Sequence, residues 1–180
     1  DSLKTEMFVV KKSIHGPVVK EEGDIALALK VVALDASQIF QERWEMATAT
    51  NLNEFEASLK SLQTPMFTVM YADKEGNIMH LFGGQTPIRP SGDYDWSGVV
   101  PGNTSATLWN HHHPYEELPR VLNPESGWLQ NANDPPWTTT FPEEIDANDF
   151  PAYMSPREMG FRAQRSARML DEDESITFNE

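Results

Sequence analysis

Residues 66–82 read Met66-Phe67-Thr68-Val69-Met70-Tyr71-Ala72-Asp73-Lys74-Glu75-Gly76-Asn77-Ile78-Met79-His80-Leu81-Phe82. Two apolar runs containing β-branched and aromatic residues flank a polar pentad, Asp73 to Asn77. That is the pattern of two antiparallel strands joined by a tight turn. Gly76 followed by Asn77 suits backbone positions that need positive φ. The stretch therefore reads as a β-hairpin, with strands over 66–72 and 78–82.

Working outward places the other elements around this hairpin. Toward the N-terminus, residues 7–14 are β-rich and are broken by His15-Gly16-Pro17. Val18-Val19 continues extended into a turn at Lys20–Gly23. Residues 25–34, IALALKVVAL, are apolar for too long to be a half-exposed strand. They read either as a strand buried on both faces or as the start of a buried helix. Residues 36–49 place Ile39, Phe40, Arg43, Trp44 and Ala47 at helical spacing, and residues 52–62 do the same with Leu52, Phe55, Leu59 and Leu62. Both apolar faces are read as core, with Asn51 or Asn53 as N-cap of the second helix. Pro65 ends this region.

Toward the C-terminus, residues 83–136 are rich in Gly, Pro, Asn and Ser. So long an irregular stretch in a compact domain is a functional loop or a linker; its interleaved aromatics favour an ordered, packed loop. Ser155-Pro156-Arg157-Glu158 has the form of a capping box with Pro at the first helical position, and it predicts a helix over 155–170. The order of strand, helices, hairpin, irregular stretch and helix gives an α+β class with a mainly antiparallel sheet. No internal repeat is visible, and residues 1–180 read as a single unit.

Charge and composition narrow the function. The formal net charge is −14, with the acids spread along the chain. Nucleic acid and anionic membrane both need basic patches, so neither fits as a partner. Cysteine is absent, which removes disulfides, thiolate nucleophiles and Cys-based metal sites. No apolar run approaches the ~20 residues needed to span a bilayer. The chain starts at Asp1 with no signal peptide and ends at Glu180 with no terminating signal, so both ends are expected to be cuts within a longer protein.

Several residues could carry chemistry. His111-His112-His113 could ligate a metal, but adjacent residues of an extended chain point to opposite faces and rarely share one ion. They read as a loop. His15 and His80 are isolated and read as packed or exposed. Asp73, Glu75 and Asn77 alternate like part of a calcium loop without its later bidentate Glu. Asp93 and Asp95 could offer oxygens to a cation. Gly83-Gly84 has no Lys-Ser/Thr after it, so no phosphate loop is supported. No Gly-x-Ser-x-Gly is present. Asn131 and Asn133, in Gln130-Asn131-Ala132-Asn133-Asp134-Pro135-Pro136-Trp137, read from composition as turn residues. The alternative is an acyl-transfer site, where an Asn amide stabilises an oxyanion.

Taken together, these segments resemble the penicillin acylase family, which acts on penicillins, cephalosporin side chains and acyl-homoserine lactones. His15-Gly16-Pro17-Val18-Val19 and Tyr71 through Ile78 resemble two of its blocks. Gly84, Pro87 and Arg89 look like its Gly-x-x-Pro-x-Arg, and Val100-Pro101-Gly102 matches Val-Pro-Gly. Trp109 through Pro119 is similar to Trp-x-Gly-x-x-Pro-x-Glu-Glu-Leu-Pro, except that His111 stands where the family usually has Gly. Val121-Leu122-Asn123-Pro124, Gly127-Trp128-Leu129 and Asn131-Ala132-Asn133 follow in the family's order, and the resemblance runs over residues 8–170.

The resemblance implies part of the αββα sandwich of an N-terminal-nucleophile hydrolase, cut from the interior of its larger chain. It implies an amidase made as a precursor, in which a new N-terminal Ser attacks the amide with its own α-amine as base. It assigns the oxyanion donor to Asn133. It assigns the Arg that orders that Asn to Arg162, with Arg165 as the alternative. Neither Asp1 nor Ser2 fits the nucleophile, so the chain alone is expected to be inactive. The partners implied are an acyl-amide substrate and the remaining segments of the same precursor. No cofactor is implied; the family's calcium ligands lie mostly upstream and are not placed here. Export to the periplasm or the medium is also implied. The competing readings are a non-catalytic binding module on the same scaffold, and a metal-dependent hydrolase built on His111–His113.

Overall fold

The computed structural model describes residues 7–34, 36–173 and 175. Strands β1 (Lys12–Ser13), β2 (Gly16–Glu22) and β3 (Ile25–Ala28) form one antiparallel sheet in that order. Helices α1 (Ile39–Thr48) and α2 (Leu52–Leu59) follow. Strands β4 (Val69–Ala72), β5 (Ile78–Leu81) and β6 (Arg120–Leu122) form a second antiparallel sheet with β5 in the middle. Helix α3 spans Phe161–Asp171. Mixed helix and antiparallel sheet is the class that the order of elements implied.

The hairpin is β4–β5, in register from Val69↔Leu81 to Ala72↔Ile78. Its turn is closed by Asp73, whose carboxylate accepts the Asn77 backbone N–H and side-chain amide, each at 2.9 Å. Gly76 supplies the positive φ, 90°, that the turn requires. Asn123, just past β6, accepts the Ile78 N–H at 2.8 Å and donates to Asn77 at 2.9 Å. This latches the third strand to the hairpin. Strand β6 lies inside the stretch read as irregular. Three residues bracketed by Pro119 and Pro124 are too short to show alternation.

The middle strand is buried on both faces. Met79 and Leu81 pack with Leu59 of α2, Val69, Tyr115 and Leu118. The alternate residue, His80, lies opposite Val121 in the neighbouring strand, and Val121 packs with Trp137 and Ile145. Helix α2 is set by Asn51, which accepts the Glu54 N–H at 3.0 Å, while the Glu54 carboxylate accepts the Thr50 N–H at 2.8 Å. That reciprocal arrangement leaves few unsatisfied donors at the helix start.

Helix α1 does not turn its Phe40–Trp44 face into the core: Phe40 is 86% and Trp44 69% exposed, and Glu42 is buried instead. Hydrogen bonds to the Glu42 carboxylate from the loop after α2 fix the rotation of the helix. Residues 25–34 form neither a doubly buried strand nor a helix start. Only Ile25–Ala28 is extended, and Ile25, Leu29 and Leu34 are exposed, because no described residue covers that face. Likewise only Lys12–Ser13 of residues 7–14 pairs as strand.

The helix read over 155–170 is realised as α3, from Phe161 to Asp171. Ser155 is buried and caps nothing. Arg157 turns back to donate to the carbonyls of Ala147 and Phe150, and its guanidinium stacks on Trp137 at 5.1 Å. Those contacts hold residues 155–160 outside the helix.

His80 gives this core a pH dependence. Burial pulls its pKa down from 6.5 to about 4, with the charge of Asp134 partly opposing. The folded state therefore resists protonation that the unfolded chain accepts. The stabilisation is complete above pH 6.5 and is lost as pH falls toward 4, by on the order of 3 kcal/mol. Urea unfolding should show this loss between pH 7 and pH 4, and His80→Leu should flatten that part of the profile. An unchanged slope in the variant would assign the loss to other groups.

Candidate active site

The loop from Gln130 to Thr140 is built around one carboxylate. Asp134 Oδ1 accepts the Ala132 N–H at 2.9 Å. Its Oδ2 accepts the Gln130 side-chain amide at 2.9 Å and the Thr138 hydroxyl. Gln130 and Thr139 close the base, with the Gln130 N–H donating to the Thr139 carbonyl and the Thr139 hydroxyl donating to the Gln130 carbonyl, both at 2.8 Å. Asn131 Oδ1 accepts the Asn133 N–H at 2.8 Å, a side chain imitating a backbone turn. Between these constraints Asn133 sits at φ 60°, the left-handed region that Asn tolerates better than most residues. Pro135–Thr140 are buried below it, and Trp137 plugs the core.

Helix α3 meets this loop through its first turn. Arg162 Nη2 donates to the Ala132 carbonyl at 2.6 Å and to Asn133 Oδ1 at 3.2 Å. One guanidinium nitrogen therefore grips both the backbone and the side chain of the turn. Arg165, the alternative, makes no such bond among the described residues. With Oδ1 occupied, Asn133 Nδ2 has no acceptor among the described residues. The structure thus brings together the two residues that the resemblance singled out.

Asn133 and Arg162 line an open cleft of about 610 Å³, together with Met66, Phe67, Phe82 and Phe161. Amide and guanidinium donors stand beside these apolar side chains, and Thr68, Ser155 and Glu158 add polar groups to the lining. A second cleft of about 630 Å³ lies between α2 and residues 144–150, and an internal ion pair occupies one wall of it. There Glu56 accepts from Arg120 at 2.6 Å and from the Tyr115 hydroxyl at 2.7 Å.

The remaining candidates disperse. His111 is exposed, and His112 packs edge-on to Trp109 with ring centroids 6.2 Å apart. His113 is buried, with Nδ1 on Glu117 at 2.8 Å and Nε2 on the Tyr153 hydroxyl at 2.9 Å. Reading His111–His113 as one group missed this bond; the i, i+4 spacing of His113 and Glu117 was its signal. His15 Nε2 bonds the Gly102 carbonyl at 3.0 Å. The Asp73 oxygens are taken up by the hairpin turn, and Asp95 Oδ1 caps Ser97. Among the described residues no group of His, Asp or Glu is arranged to hold a metal ion.

Comparison with known proteins agrees with this architecture. The family model described as penicillin amidase matches residues 2–180. A penicillin G acylase from Escherichia coli is 31% identical over 138 residues, covering 74% of this chain and 16% of that protein. A penicillin acylase 2 proenzyme from Pseudomonas sp. (strain SE83) is 25% identical over 174 residues, covering 94% of this chain and 22% of that protein. The solved structure of a thermostable penicillin G acylase from Alcaligenes faecalis superposes with a TM-score of 0.62 at 25% identity, over 77% of this chain and 26% of that one. The fold is thus that of part of an N-terminal-nucleophile hydrolase, and the chain spans between 16% and 26% of the length of these relatives. The chain belongs to the penicillin amidase family.

Proposed function

We propose that this chain is the part of a linear-amide hydrolase that supplies the side-chain donor of the oxyanion hole. The observation that carries the reading is the bond from Arg162 to Asn133 Oδ1. It fixes which end of the amide faces away from the guanidinium, so that Nδ2 is held ready to donate. As a scissile carbonyl becomes tetrahedral, its oxygen gains charge and takes that N–H. A donor already oriented needs no reorganisation at the moment of reaction.

The nucleophile comes from elsewhere in the longer protein, as an N-terminal Ser exposed by cleavage of a precursor. The word proenzyme in the Pseudomonas relative's name supports processing of this kind. The Ser hydroxyl adds to the amide carbon, and its α-amine accepts the proton and passes it to the leaving amine as the C–N bond breaks. Water then releases the acyl group as a carboxylic acid. Met66, Phe67, Phe82 and Phe161 suit an apolar acyl group, so the substrate class is an acyl amide of the penicillin or acyl-homoserine lactone type. The other segments of the precursor are the chain's partners, the 180 residues alone are inactive, and the family resemblance favours export.

In the processed full-length parent, Asn133→Ala should lower kcat by ~10²–10³-fold, about 3–4 kcal/mol, with little change in KM. Steady-state kinetics on an acyl anilide measures it. Wild-type turnover in this variant would favour a non-catalytic scaffold role for the loop. Arg162→Lys keeps the charge but loses the planar fork, so it should lower kcat by roughly tenfold and leave the acyl preference unchanged. An equal loss in Arg165→Lys would remove the assignment to Arg162.

A further inference from the structure

Glu42 lies in the first turn of α1 and is 1% exposed, yet no cation pairs with it among the described residues. Its Oε1 accepts the Thr64 N–H at 3.0 Å and the Thr64 hydroxyl. Its Oε2 accepts the Ser61 hydroxyl at 2.6 Å and the Gln63 N–H at 2.7 Å. A buried carboxylate persists only when it is hydrogen-bonded this fully. Bonds to an ionised acceptor are about twice as strong as neutral ones, so the loop Ser61–Thr64 is held as one piece against α1.

That loop leads directly into the cleft. Leu62 and Met66 both have positive φ, 49° and 35°, where side chains other than Gly and Asn are strained. Such backbone persists only where its surroundings over-determine it. Glu42 holds one side. The other is held by the Thr64 carbonyl, which accepts the Gln85 N–H at 2.9 Å and lies where a side chain on Gly84 would come within 2.2 Å. Between the two clamps the chain turns at Pro65 and presents Met66, Phe67 and Thr68 to the cleft that Asn133 and Arg162 line.

We propose that Glu42 is a positioning residue that sets acyl-chain selectivity, by fixing the backbone that carries Met66 and Phe67 into the cleft. The proposal rests on the amidase reading of that cleft. Replacing Glu42 by Gln substitutes a donor amide for one carboxylate oxygen, so a backbone N–H of the loop faces another donor and the hydroxyl beside it must turn round to accept. The loop then shifts, and with it the wall on which the acyl chain lies, while Asn133 and Arg162 remain where the Asp134 turn and α3 put them.

The test uses the processed full-length parent, with active sites counted by titration of the nucleophile, and two p-nitroanilides that differ only in acyl length, butanoyl and octanoyl. Glu42→Gln should lower kcat/KM for octanoyl by about tenfold, through KM and kcat together, and change butanoyl by less than about twofold, as loss of contact in an apolar pocket does. Ser61→Ala removes one donor without placing a new one, and should shift the ratio the same way by a smaller factor. It carries the test if Glu42→Gln fails to fold or process. Equal factors for both substrates, or an unchanged ratio in every variant that folds, would overturn the proposal. A parent that turns over neither anilide defeats the amidase reading itself, and this one with it.

Discussion

The double burial of β5 is the constraint on which the rest of the molecule depends. A strand with Met79 and Leu81 on one face and His80 on the other must be covered twice, since each uncovered side would leave apolar surface in water. Helix α2 covers the first face, with Leu59 at its end and Phe55 tilted against Tyr71 at 4.6 Å between ring centroids. Among the described residues no α-helix covers the second. Residues 128–150 fold over it as loops with two single 3-10 turns, with Trp137 and Ile145 as their apolar anchors. The turn carrying Asn133 is the top of that cover, and the nearness of His80 to Asp134 is a sign of it. The candidate site therefore sits where it does because the sheet needed a lid.

Irregular chain can hold a side chain accurately only if something replaces the missing ladder of backbone bonds. Two carboxylates do so here. Asp134 gathers donors from Gln130, Ala132 and Thr138, and Glu42 gathers donors from Ser61, Gln63 and Thr64. Hydrogen bonds to charged groups contribute ~1.5–3 kcal/mol each, against about 1–2 kcal/mol to order each residue's backbone. A carboxylate with three or four donors thus offsets the ordering of a short loop. The exposed pairs Lys11–Glu21 and Lys20–Glu22, by contrast, lie in water, where such contacts contribute ~0–1 kcal/mol. Among ionic contacts it is these internal acceptors, not the surface ion pairs, that shape the cleft.

The same contrast explains what could be read from the sequence. The hairpin was legible because its signals are local: two apolar runs, an Asp that closes the turn, and a Gly at the positive φ. The cap of α2 was legible to within two residues, Asn51 or Asn53, for the same reason, and it is Asn51 that caps. Helix α1 was legible as a helix but its buried face was not, because its apolar periodicity argued for burying Phe40 and Trp44 while a single acid decided otherwise. The donors that hold Glu42 lie 19 to 22 residues away, beyond the reach of any local pattern. The start of α3 failed similarly. Ser155 and Pro156 look like a helix start, but Arg157 is committed to carbonyls of the preceding loop. Strand β6 was too short to have a period. Asn133 and Arg162 were legible only through the resemblance, and their hydrogen bond joins residues 29 apart.

Asn133 is exposed, and within the amidase reading that exposure limits what its amide can contribute. An amide N–H facing water exchanges one hydrogen bond for another, and its net contribution is only ~1 kcal/mol. The 3–4 kcal/mol attributed to an oxyanion donor needs water to be kept out. The walls of the cleft suggest how exclusion is achieved. Phe161, Met66 and Phe67 are large and apolar, and they stand open to solvent beside the donor. An apolar acyl group laid on them would displace water from the side where the carbonyl sits, and the remaining segments of the precursor would close the other. The substrate itself then lowers the local dielectric, so the strength of the Asn133 donor depends on the fit of the acyl group. Selectivity and rate are coupled through one wall. A contact that fixes Met66 and Phe67 acts on catalysis without touching the reacting atoms.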